Sequence, residues 1–415
     1  MRFCVFLRHK KTLLMRSVAI LGAGAAGCFC AVSVKRRHPD WSVTVLEAGA
    51  APMAKLSLTG GGRCNITNTF EHVRSIKEVY PRGGSLMKRL LKEFSQDDLL
   101  AWFGKEGIRF TAQEDGCVFP CSQDAMQIVN CLRTLMREEG VQCKCGRRVT
   151  GIVPEEGAFR VILQDGAELT FDKVILCIGG SNSDFLRKLL PEDIEITNTV
   201  PSLFTFRIQN EDLKTLMGTV VPNVRLNIPG SKFCSEGTLL VTDWGLSGPA
   251  ALKLSSHAAR YLYEHQYKAP LTINWGGTGE ERIREELGRI AKDNPRKHIS
   301  SIGLSHLTSR LWAHLCGKAG IKTESRWQDL GGKPLNKLIS TITADEEAIT
   351  GRAAFKEEFV TCGGVALSEV NPATLESKRY PGLHFAGEVL DIDAVTGGFN
   401  LQAAWSTAYV ISEHL

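Results

Sequence analysis

The feature that most constrains the fold is a glycine-rich turn between a short apolar strand and a helix near the start of the chain. Residues 17–21 read SVAIL, a β-branched run typical of a buried parallel strand, and GAGAAG follows at once. In the spacing Gly22-x-Gly24-x-x-Gly27, the first glycine permits a tight turn, the second lets the backbone approach a pyrophosphate, and the third lets helix and strand pack closely. The pattern therefore predicts a dinucleotide site.

An acidic residue supports this prediction. A second strand, SVTVLE, ends at Glu47, twenty residues after Gly27, where a carboxylate can accept hydrogen bonds from a ribose. The N–H groups at the start of the intervening helix would face the phosphates, and Ala25, Ala26 and Ala48 complete the predicted contacts. This spacing alone does not distinguish FAD from NAD.

Several separated segments resemble one protein family. They read KLSLTGGGRCNITN at 55–68, GTLLVTDWGLSGPAALKLS at 237–255, VTCGGV at 360–365 and LHFAGEVLDIDAVTGGFNLQ at 383–402. They are similar to the HI0933-like flavoproteins of the YhiN and BaiN type, from residue 17 onward. The resemblance implies FAD as the cofactor and an α/β fold. In that fold, a Rossmann-like FAD-binding domain of the glutathione-reductase-like class is interrupted by an inserted β-barrel carrying a small helical subdomain.

The resemblance also implies a cofactor site built from both ends of the chain. Arg63 would supply donors to phosphate or ribityl oxygens, Val149 would lie against the adenine, and Glu388 would bond the ribityl or pyrophosphate region. A helix start at 397–402 would stabilise negative charge on the reduced flavin. The other predicted cofactor contacts are Lys55, Thr59, Gly60, Gly61, Gly62, Cys64, Asn65, Gly179, Gly180, Gly387, Gly397, Gly398, Phe399, Asn400, Leu401 and Gln402.

The sequence pattern changes along the chain in a way that suggests domain boundaries. Short β-like runs begin near residue 194, and helical spacing begins near 278. We expect a leader at 1–16, the first part of the FAD-binding domain at 17–193, the barrel at 194–277, the helical subdomain at 278–335, a return through the barrel at 336–355 and the second part of the FAD-binding domain at 356–415. A small-molecule substrate is expected at the domain junction, facing the flavin.

Two residues are candidates for direct chemistry. Cys64 follows a cationic residue that favours thiolate, but it has no C-x-x-C partner, so we favour a packing or flavin-contact role. Asp243 stands where family members often have the histidine of T-H-x-G; it is either an acid or a solvated turn residue. Residues 275–287 imitate a second dinucleotide motif, but Glu280 and Glu281 would repel phosphate, so we predict a boundary turn there.

Composition and charge narrow the class of protein. The 43% of hydrophobic and 23% of charged residues indicate a globular chain with a sizeable core. The net charge is +5, but residues 1–14 hold four basic residues and no acid, so about +1 remains, which argues against tight nonspecific binding to nucleic acid.

Met15 directly precedes the first strand, and we expect translation to begin there. No apolar run approaches the roughly 18 residues of a membrane span, so we expect a cytoplasmic protein. The 13 cysteines lack zinc-site spacing, and no metal is predicted.

These observations lead to one leading hypothesis and two alternatives. We expect an FAD-dependent oxidoreductase that passes a hydride from flavin N5 to an organic substrate with an activated carbon–carbon double bond, with NAD(P)H as a transient reductant. The alternatives are a flavin oxidase and an RNA-associated flavoprotein that modifies or binds ribosomal or transfer RNA. A small-molecule substrate is favoured over nucleic acid, and the sequence does not fix the oligomeric state. The basic segments considered for RNA are Arg36-Arg37, Lys88-Arg89, Arg147-Arg148 and 292–297.

Overall fold

A computed structural model describes residues 16–353 and 360–415. The leader expected at 1–16, apart from Arg16, and the boundary expected at 355/356 lie outside the described residues. The strands of the described part are β1 (Ser17–Leu21), β2 (Ser42–Leu46), β3 (Thr67–Asn68), β4 (Phe110–Ala112), β5 (Cys117–Pro120), β6 (Gln142–Lys144), β7 (Val149–Glu155), β8 (Ala158–Leu163), β9 (Glu168–Phe171), β10 (Lys173–Leu176), β11 (Ile196–Ser202), β12 (Phe206–Ile208), β13 (Val220–Asn227), β14 (Cys234–Val241), β15 (Gly245–Ser247), β16 (Ala269–Asn274), β17 (Asp345–Arg352), β18 (Val360–Val365) and β19 (Leu383–Phe385).

The helices of the same part differ widely in length. They are α1 (Ala25–Arg37), α2 (Thr59–Gly62), α3 (Ile76–Val79), α4 (Gly84–Glu93), α5 (Gln96–Lys105), α6 (Ala125–Glu138), α7 (Ser183–Leu189), α8 (Glu211–Lys214), α9 (Pro249–His257), α10 (Ala259–Glu264), α11 (Glu280–Asp293), α12 (Ser309–Lys318), α13 (Gly332–Thr343) and α14 (Phe399–His414).

A five-stranded parallel sheet in the order β19-β10-β1-β2-β6 forms the centre of the first core. Val18, Ala19 and Ile20 of β1 are fully buried, as expected for a strand covered on both faces. Because the strands are parallel, their carboxyl ends meet at one edge of the sheet. The residues that follow β1, β2, β10 and β19 belong to four of the predicted cofactor segments, so the fold brings these segments to one edge.

A closed barrel with strand order β12-β15-β14-β13-β16-β17 forms the second core together with helices α11 to α13. The predicted Rossmann-like domain interrupted by a barrel with a helical insertion is therefore confirmed. The helix α13 continues to Thr343, past the boundary expected at 335, because Leu338, Ile339 and Ile342 recur at helical spacing and are fully buried.

An antiparallel ribbon joins the two cores. Strand β11 pairs with β18 from Ile196↔Val365 to Ser202↔Val360, and neither strand belongs to the barrel sheet. The barrel itself begins at Phe206, where β12 pairs with both β15 and β17. The chain therefore leaves the first core along β11 and returns to it along β18.

None of the helices in the described part of the chain is long and apolar enough to span a bilayer.

A buried histidine on β19 makes stability depend on pH. His384 is 1% exposed, and burial lowers its pKa to about 4 although the charge of Glu376 acts in the opposite direction. The imidazole titrates near 6.5 in the unfolded chain, so between pH 6.5 and 4 the unfolded state binds more protons and stability falls as pH falls. We expect the free energy of unfolding in urea to drop about 2 kcal/mol more between pH 7 and pH 5 in the wild type than in His384→Phe. Equal pH dependence in both proteins would contradict the assignment.

Candidate functional site

The turn after β1 has the geometry that its glycines predict. Gly22 has φ +99°, and a Cβ there would lie 2.6 Å from the carbonyl oxygen of Cys177. A Cβ at Gly27 would overlap the carbonyl oxygen of Gly22, so this glycine permits the helix to pack on the strand. A Cβ at Gly24 would meet nothing within 4 Å, so its backbone faces open space. Gly24 also N-caps α1 without a side-chain cap, which leaves the helix N–H groups available.

The carboxylate of Glu47 is fixed at the end of β2 by two backbone donors. Its Oε2 accepts the N–H of Ala23 at 2.7 Å, and its Oε1 accepts the N–H of Gly49 at 2.6 Å. A carboxylate offers about four lone-pair positions, so both oxygens keep capacity for a ribose hydroxyl. The carboxylate borders a cavity lined by Leu21, Gly22, Leu46, Glu47, Ala48, Arg147, Arg148, Val149, Ile178, Ser181, Phe185 and Leu189.

This cavity contains residues that the sequence interpretation placed elsewhere. The sequence suggests Arg147 and Arg148 for an RNA-binding face, but both line the cavity beside Glu47, and Arg147 pairs with Asp165 at 2.8 Å. Their position directly before Val149 could have placed them at the cofactor site, because the strand that begins at Val149 is predicted to contact the adenine. Ser181 and Phe185 were missed, although they follow the predicted Gly179 and Gly180 closely.

The triple-glycine segment, α2 above, is a turn with left-handed backbone rather than a regular helix, which explains why three glycines occur together. Gly60, Gly61 and Gly62 have φ of +59°, +69° and +83°. Arg63 folds back over this turn, because its Nε donates to the carbonyl of Gly60 at 3.1 Å. Its guanidinium also lies 4.3 Å from the ring centroid of Phe119. A Cβ at Gly61 or Gly62 would meet nothing within 4 Å, so the turn has open backbone there with the Arg63 cation beside it.

Cys64 follows the turn and is fully buried. Burial raises the pKa of its thiol to about 12, although a hydrogen bond with Thr59 acts in the opposite direction. The backbone N–H of Cys64 donates to the carbonyl of Thr59 at 2.9 Å, which closes the turn. A thiol of this pKa is protonated at neutral pH, which favours the packing role over nucleophilic or redox chemistry.

Alkylation of the native protein tests this assignment. We expect iodoacetamide at pH 8 to modify the exposed Cys121, Cys145 and Cys234 and to leave Cys64 unmodified, because only about one thiol in 10,000 is ionised four pH units below its pKa. Mass spectrometry of tryptic peptides gives the answer, and alkylation in urea is the control in which Cys64 reacts. Modification of Cys64 in the native protein at the rate of the exposed thiols would show that the site opens.

Hydrogen bonds join this segment to the predicted segment near the C-terminus. The Asn65 amide, oriented to satisfy both partners, accepts the N–H of Gly398 at 3.2 Å. The Thr67 hydroxyl donates to the Gln402 side-chain oxygen at 2.6 Å, and Asn68 donates to the Gly397 carbonyl at 3.1 Å. A Cβ at Gly398 would overlap the Thr67 carbonyl oxygen, so glycine is required for this approach. Two segments more than 300 residues apart therefore form one unit.

The first turn of α14 belongs to this unit. Gly398 is its N-cap with φ +89°, has no side-chain cap, and is followed by no acid in the first turn. The ring of Phe399 packs against the ring of Phe70, with 5.1 Å between the ring centroids. This residue, predicted to contact the cofactor, therefore offers the cofactor its backbone rather than its ring. Asn400 exchanges hydrogen bonds with Ala394 at 2.9 and 3.0 Å and so supports the loop before Gly397. Leu401 packs against the first core.

The enclosed carboxyl group of Glu388 lies opposite the β10 turn. Burial raises its pKa, while the N–H of Thr361, donating to Oε1 at 2.7 Å, and the charge of Lys55 lower it. A Cβ at Gly180 would lie 2.7 Å from Glu388 Oε1. Gly179 and Gly387 have φ of +70° and +71° and bring their backbones into the same region. The predicted segments that follow β1, β10 and β19 therefore lie close together at this edge of the sheet.

The junction between the two cores contains an ion-pair network that the sequence interpretation missed. Asp393 is fully buried and pairs with Arg82, whose Nε donates to its Oδ1 at 2.5 Å. Ser202 of β11 donates to Asp393 Oδ2 at 3.0 Å, and Arg82 also donates to the carbonyl of Ser256 at 2.7 Å. Arg260 pairs with Asp391 at 2.8 Å. The loop that leads into Gly397 is therefore fixed to the barrel side of the junction.

Two other predicted features lie away from this cluster. Asp243 is exposed at the tip of the β14–β15 turn, where the N–H groups of Thr242 and Gly245 each donate to the other residue's carbonyl oxygen. This geometry favours the solvated turn residue over the acid.

The segment 275–287 follows the antiparallel barrel strand β16, and a Cβ at Gly276 would lie 2.6 Å from Ile283. It is a turn into α11 and lacks the parallel strand of a dinucleotide motif.

The site fits an elongated dinucleotide. A cavity with a fixed carboxylate and several apolar walls lies at one end, and open backbone at Gly24 lies at the start of α1. The uncapped start of α14 lies beside the triple-glycine turn. Two helix N-termini favour negative charge at two separate points, as a pyrophosphate and a reduced flavin would require.

The sequence matches the family described as "HI0933-like protein Rossmann domain" over residues 16–414. The ribosomal RNA dihydrouridine synthase of Escherichia coli (strain K12) is 30% identical over 406 residues, covering 95% of this chain and 97% of that protein. The 3-dehydro-bile acid delta(4,6)-reductase of Clostridium scindens is 26% identical over 405 residues, covering 95% and 98%. A ribosomal RNA dihydrouridine synthase of Haemophilus influenzae is 27% identical over 405 residues, covering 94% and 96%.

Proposed function

The chain belongs to the HI0933-like family of FAD-dependent oxidoreductases, and from this premise we propose that it reduces a carbon–carbon double bond conjugated to a carbonyl group, with NAD(P)H as the electron donor. FAD, when bound, would accept a hydride from NAD(P)H and deliver it from N5 to the substrate. In the overall reaction the substrate gains a hydride at the β-carbon and a proton at the α-carbon, and NAD(P)H becomes NAD(P)⁺.

The observation that carries this proposal is a bond change shared by relatives with different substrates. One relative is named for reduction at the delta(4,6) positions of a 3-dehydro bile acid, and two are named for the synthesis of dihydrouridine in ribosomal RNA. Dihydrouridine is uridine with its ring double bond saturated, and that bond is conjugated to a carbonyl group. Both names therefore describe saturation of an activated double bond.

The residues of this chain support such chemistry by binding and electrostatics. The uncapped N–H groups at the start of α14 would stabilise negative charge at the pyrimidine edge of the flavin. The cation of Arg63 is held beside the triple-glycine turn by its contacts with Gly60 and Phe119. Cys64 is buried and protonated, which supports direct hydride delivery without a thiol relay.

The donor is proposed to bind at the domain junction itself. Within residues 16–353 and 360–415, the turn at 275–287 was the second dinucleotide candidate, and it connects a barrel strand to α11. A nicotinamide would then occupy the flavin face before the substrate does. This order predicts that high concentrations of substrate compete with NAD(P)H.

Product analysis tests the proposed function. The purified holoprotein is incubated under nitrogen with NADPH or NADH and 2-cyclohexen-1-one, and separately with unmodified ribosomal RNA. We expect mass spectrometry to detect the saturated ketone or, after nuclease digestion, dihydrouridine. Gly24→Val, which should lack FAD, is the negative control. Oxidation of NAD(P)H with formation of peroxide and no saturated product from either substrate would contradict the proposal.

Uridine in RNA is the second candidate substrate, and a specific observation favours it. The relative at 30% identity, which is matched over 97% of its length, is named as a ribosomal RNA dihydrouridine synthase. The dihydrouridine arm of the same experiment distinguishes this candidate from a small unsaturated ketone.

A further inference from the structure

The basic residues considered for RNA binding differ sharply in their surroundings. Arg36 pairs with Glu106 and Glu139, both at 2.8 Å. Arg37 pairs with Glu413, and Arg89 pairs with Glu93, which leaves Lys88 as a single charge. Arg147 and Arg148 line the cavity beside Glu47. The remaining segment, 292–297, lies in the helical insertion.

The helical insertion is the basic part of the chain. Residues 280–343 contain twelve lysines and arginines and seven acidic residues, a net charge of +5. Residues 1–14 contribute +4, so the chain outside 1–14 and 280–343 carries −4. The near-neutral total that argued against nucleic-acid binding therefore hides a separation of charge between the insertion and the other parts of the chain.

Five exposed cations of the insertion form a surface that we call the basic face. They are Arg289, Lys292, Arg296, Lys297 and Arg326. The first two line an open groove on α11 together with Glu285 and Gly288. Within the described residues, the ion pairs of the insertion involve Arg284 and Lys318 instead.

Backbone hydrogen bonds hold the members of the basic face near one another. The N–H of Trp327 donates to the carbonyl of Lys297 at 3.2 Å, and that of Gln328 donates to Pro295 at 2.9 Å. An isolated bridge pairs His298 with Arg326. Between residues 289 and 297 the chain has four cations and one acid, Asp293, a net charge of +3. Glu285 and Glu286 precede this segment, and Glu324 and Asp329 flank Arg326 in sequence, so the positive charge is concentrated at 289–297.

The helical insertion that carries the basic face is attached to the barrel at the end of β17 away from the junction where the substrate would react. Strand β17 begins at Asp345, which accepts the indole N–H of Trp275 and pairs with Lys318 of the insertion. It ends at Arg352, and the N–H of the following Ala353 donates to the carbonyl of Thr205. The neighbouring Phe204 donates its N–H to the hydroxyl of Ser255 in α9, next to the Ser256 carbonyl that Arg82 contacts. Eight residues of strand span about 25 Å, so a small unsaturated ketone cannot touch both places.

We propose that the basic face binds the phosphate backbone of an RNA whose uridine reacts at the domain junction. This inference rests on the proposed function for the reacting base, and on the charge distribution for the binding surface. Unpaired lysines and arginines bind phosphates without sequence preference and orient the nucleic acid. The exposed large apolar residues of the described chain are Leu58, Met126, Met217, Val220 and Tyr263, and none lies in the insertion. Insertion into a membrane or a protein interface with a buried centre would use such anchors.

The test uses charge reversal in the full-length holoprotein. The variants are Arg296→Glu with Lys297→Glu, and Arg289→Glu with Lys292→Glu. The matched control is Lys232→Glu with Lys268→Glu, two exposed lysines outside the insertion with the same change in net charge. Binding is measured by fluorescence anisotropy with a fluorescein-labelled RNA stem–loop over a series of KCl concentrations.

We expect each basic-face variant to bind RNA about tenfold or more weakly and to lose about 2 from the slope of log affinity against log salt, and the control to bind like the wild type. NADPH-dependent reduction of 2-cyclohexen-1-one should be equal in all four proteins. Equal RNA affinity in the control and the basic-face variants would overturn the proposal, and so would no RNA binding by the wild type or preferential binding to phosphatidylglycerol vesicles. A third outcome separates the two proposals: only the basic-face variants bind RNA weakly, and the wild type reduces no double bond. That result would support the binding surface and overturn the proposed reaction.

Discussion

Gly24→Val should produce a folded protein that has lost its FAD. The Cβ of a side chain at this position meets no protein atom within 4 Å, and the backbone is extended, with φ −80° and ψ −166°, which valine adopts readily. The branched side chain would instead occupy the space beside the α1 N–H groups where the pyrophosphate is proposed to lie. We expect retention of flavin to fall at least about 100-fold, corresponding to about 3 kcal/mol of binding free energy.

The chain offers a close control for this variant. Gly279 also N-caps a helix without a side-chain cap, has φ −69° and ψ 158°, and faces open space. Gly279→Val should cost about 1 kcal/mol of stability, as replacement of a cap does, and retain FAD at the wild-type ratio. The measurement is the ratio of visible flavin absorbance to protein absorbance after gel filtration, with thermal unfolding as the check on folding. A yellow, fully loaded Gly24→Val protein would contradict the placement of the cofactor.

Arg82→Met should give the largest loss of stability among single substitutions at the domain junction. It removes the cation that faces Asp393, whose side chain has 0% exposure. Burial raises the pKa of Asp393 and the Arg82 cation lowers it, so without Arg82 the carboxylate must stay charged and unpaired or become protonated. Breaking a buried pair in this way typically costs about 3–5 kcal/mol.

Arg260→Met is the matched substitution at the neighbouring pair. Arg260 is 45% exposed, and its partner Asp391 retains some solvent contact, so we expect a loss of about 1 kcal/mol or less. Urea unfolding followed by circular dichroism measures both variants. Similar losses in the two proteins would show that Asp393 is not as isolated from water as its burial indicates.

The sequence predicted those parts of the site in which the backbone itself imposes a residue type. Gly22 and Gly27 are required because a Cβ would collide with the Cys177 and Gly22 carbonyl groups, and Glu47 lies at the end of the adjacent strand. The three successive glycines at 60–62 all have positive φ, which few other residues tolerate. Such constraints act on one or two residues and their immediate neighbours, so a single sequence reveals them.

The parts that sequence could not predict depend on partners far apart in the chain. The bond from Thr67 to Gln402 and the pair between Arg82 and Asp393 join residues separated by more than 300 positions. The same limit applies to charge, because Arg36 is neutralised by Glu106 and Glu139, which no local pattern connects to it. Only the folded chain shows that Arg36 and Arg37 of α1 are paired with acids, whereas the five cations of the basic face form no ion pair within the described residues.

The most direct test of the central claim is the visible spectrum of the purified protein, recorded without oxygen as NADPH or NADH and then an acceptor are added. We predict a flavin band that bleaches within seconds of adding the nicotinamide and returns when 2-cyclohexen-1-one or uridine-containing ribosomal RNA is added, in proportion to the double bonds reduced. A flavin band that stays oxidised with both nicotinamides would contradict NAD(P)H as the donor. A bleached band that neither acceptor restores would contradict reduction of an activated double bond.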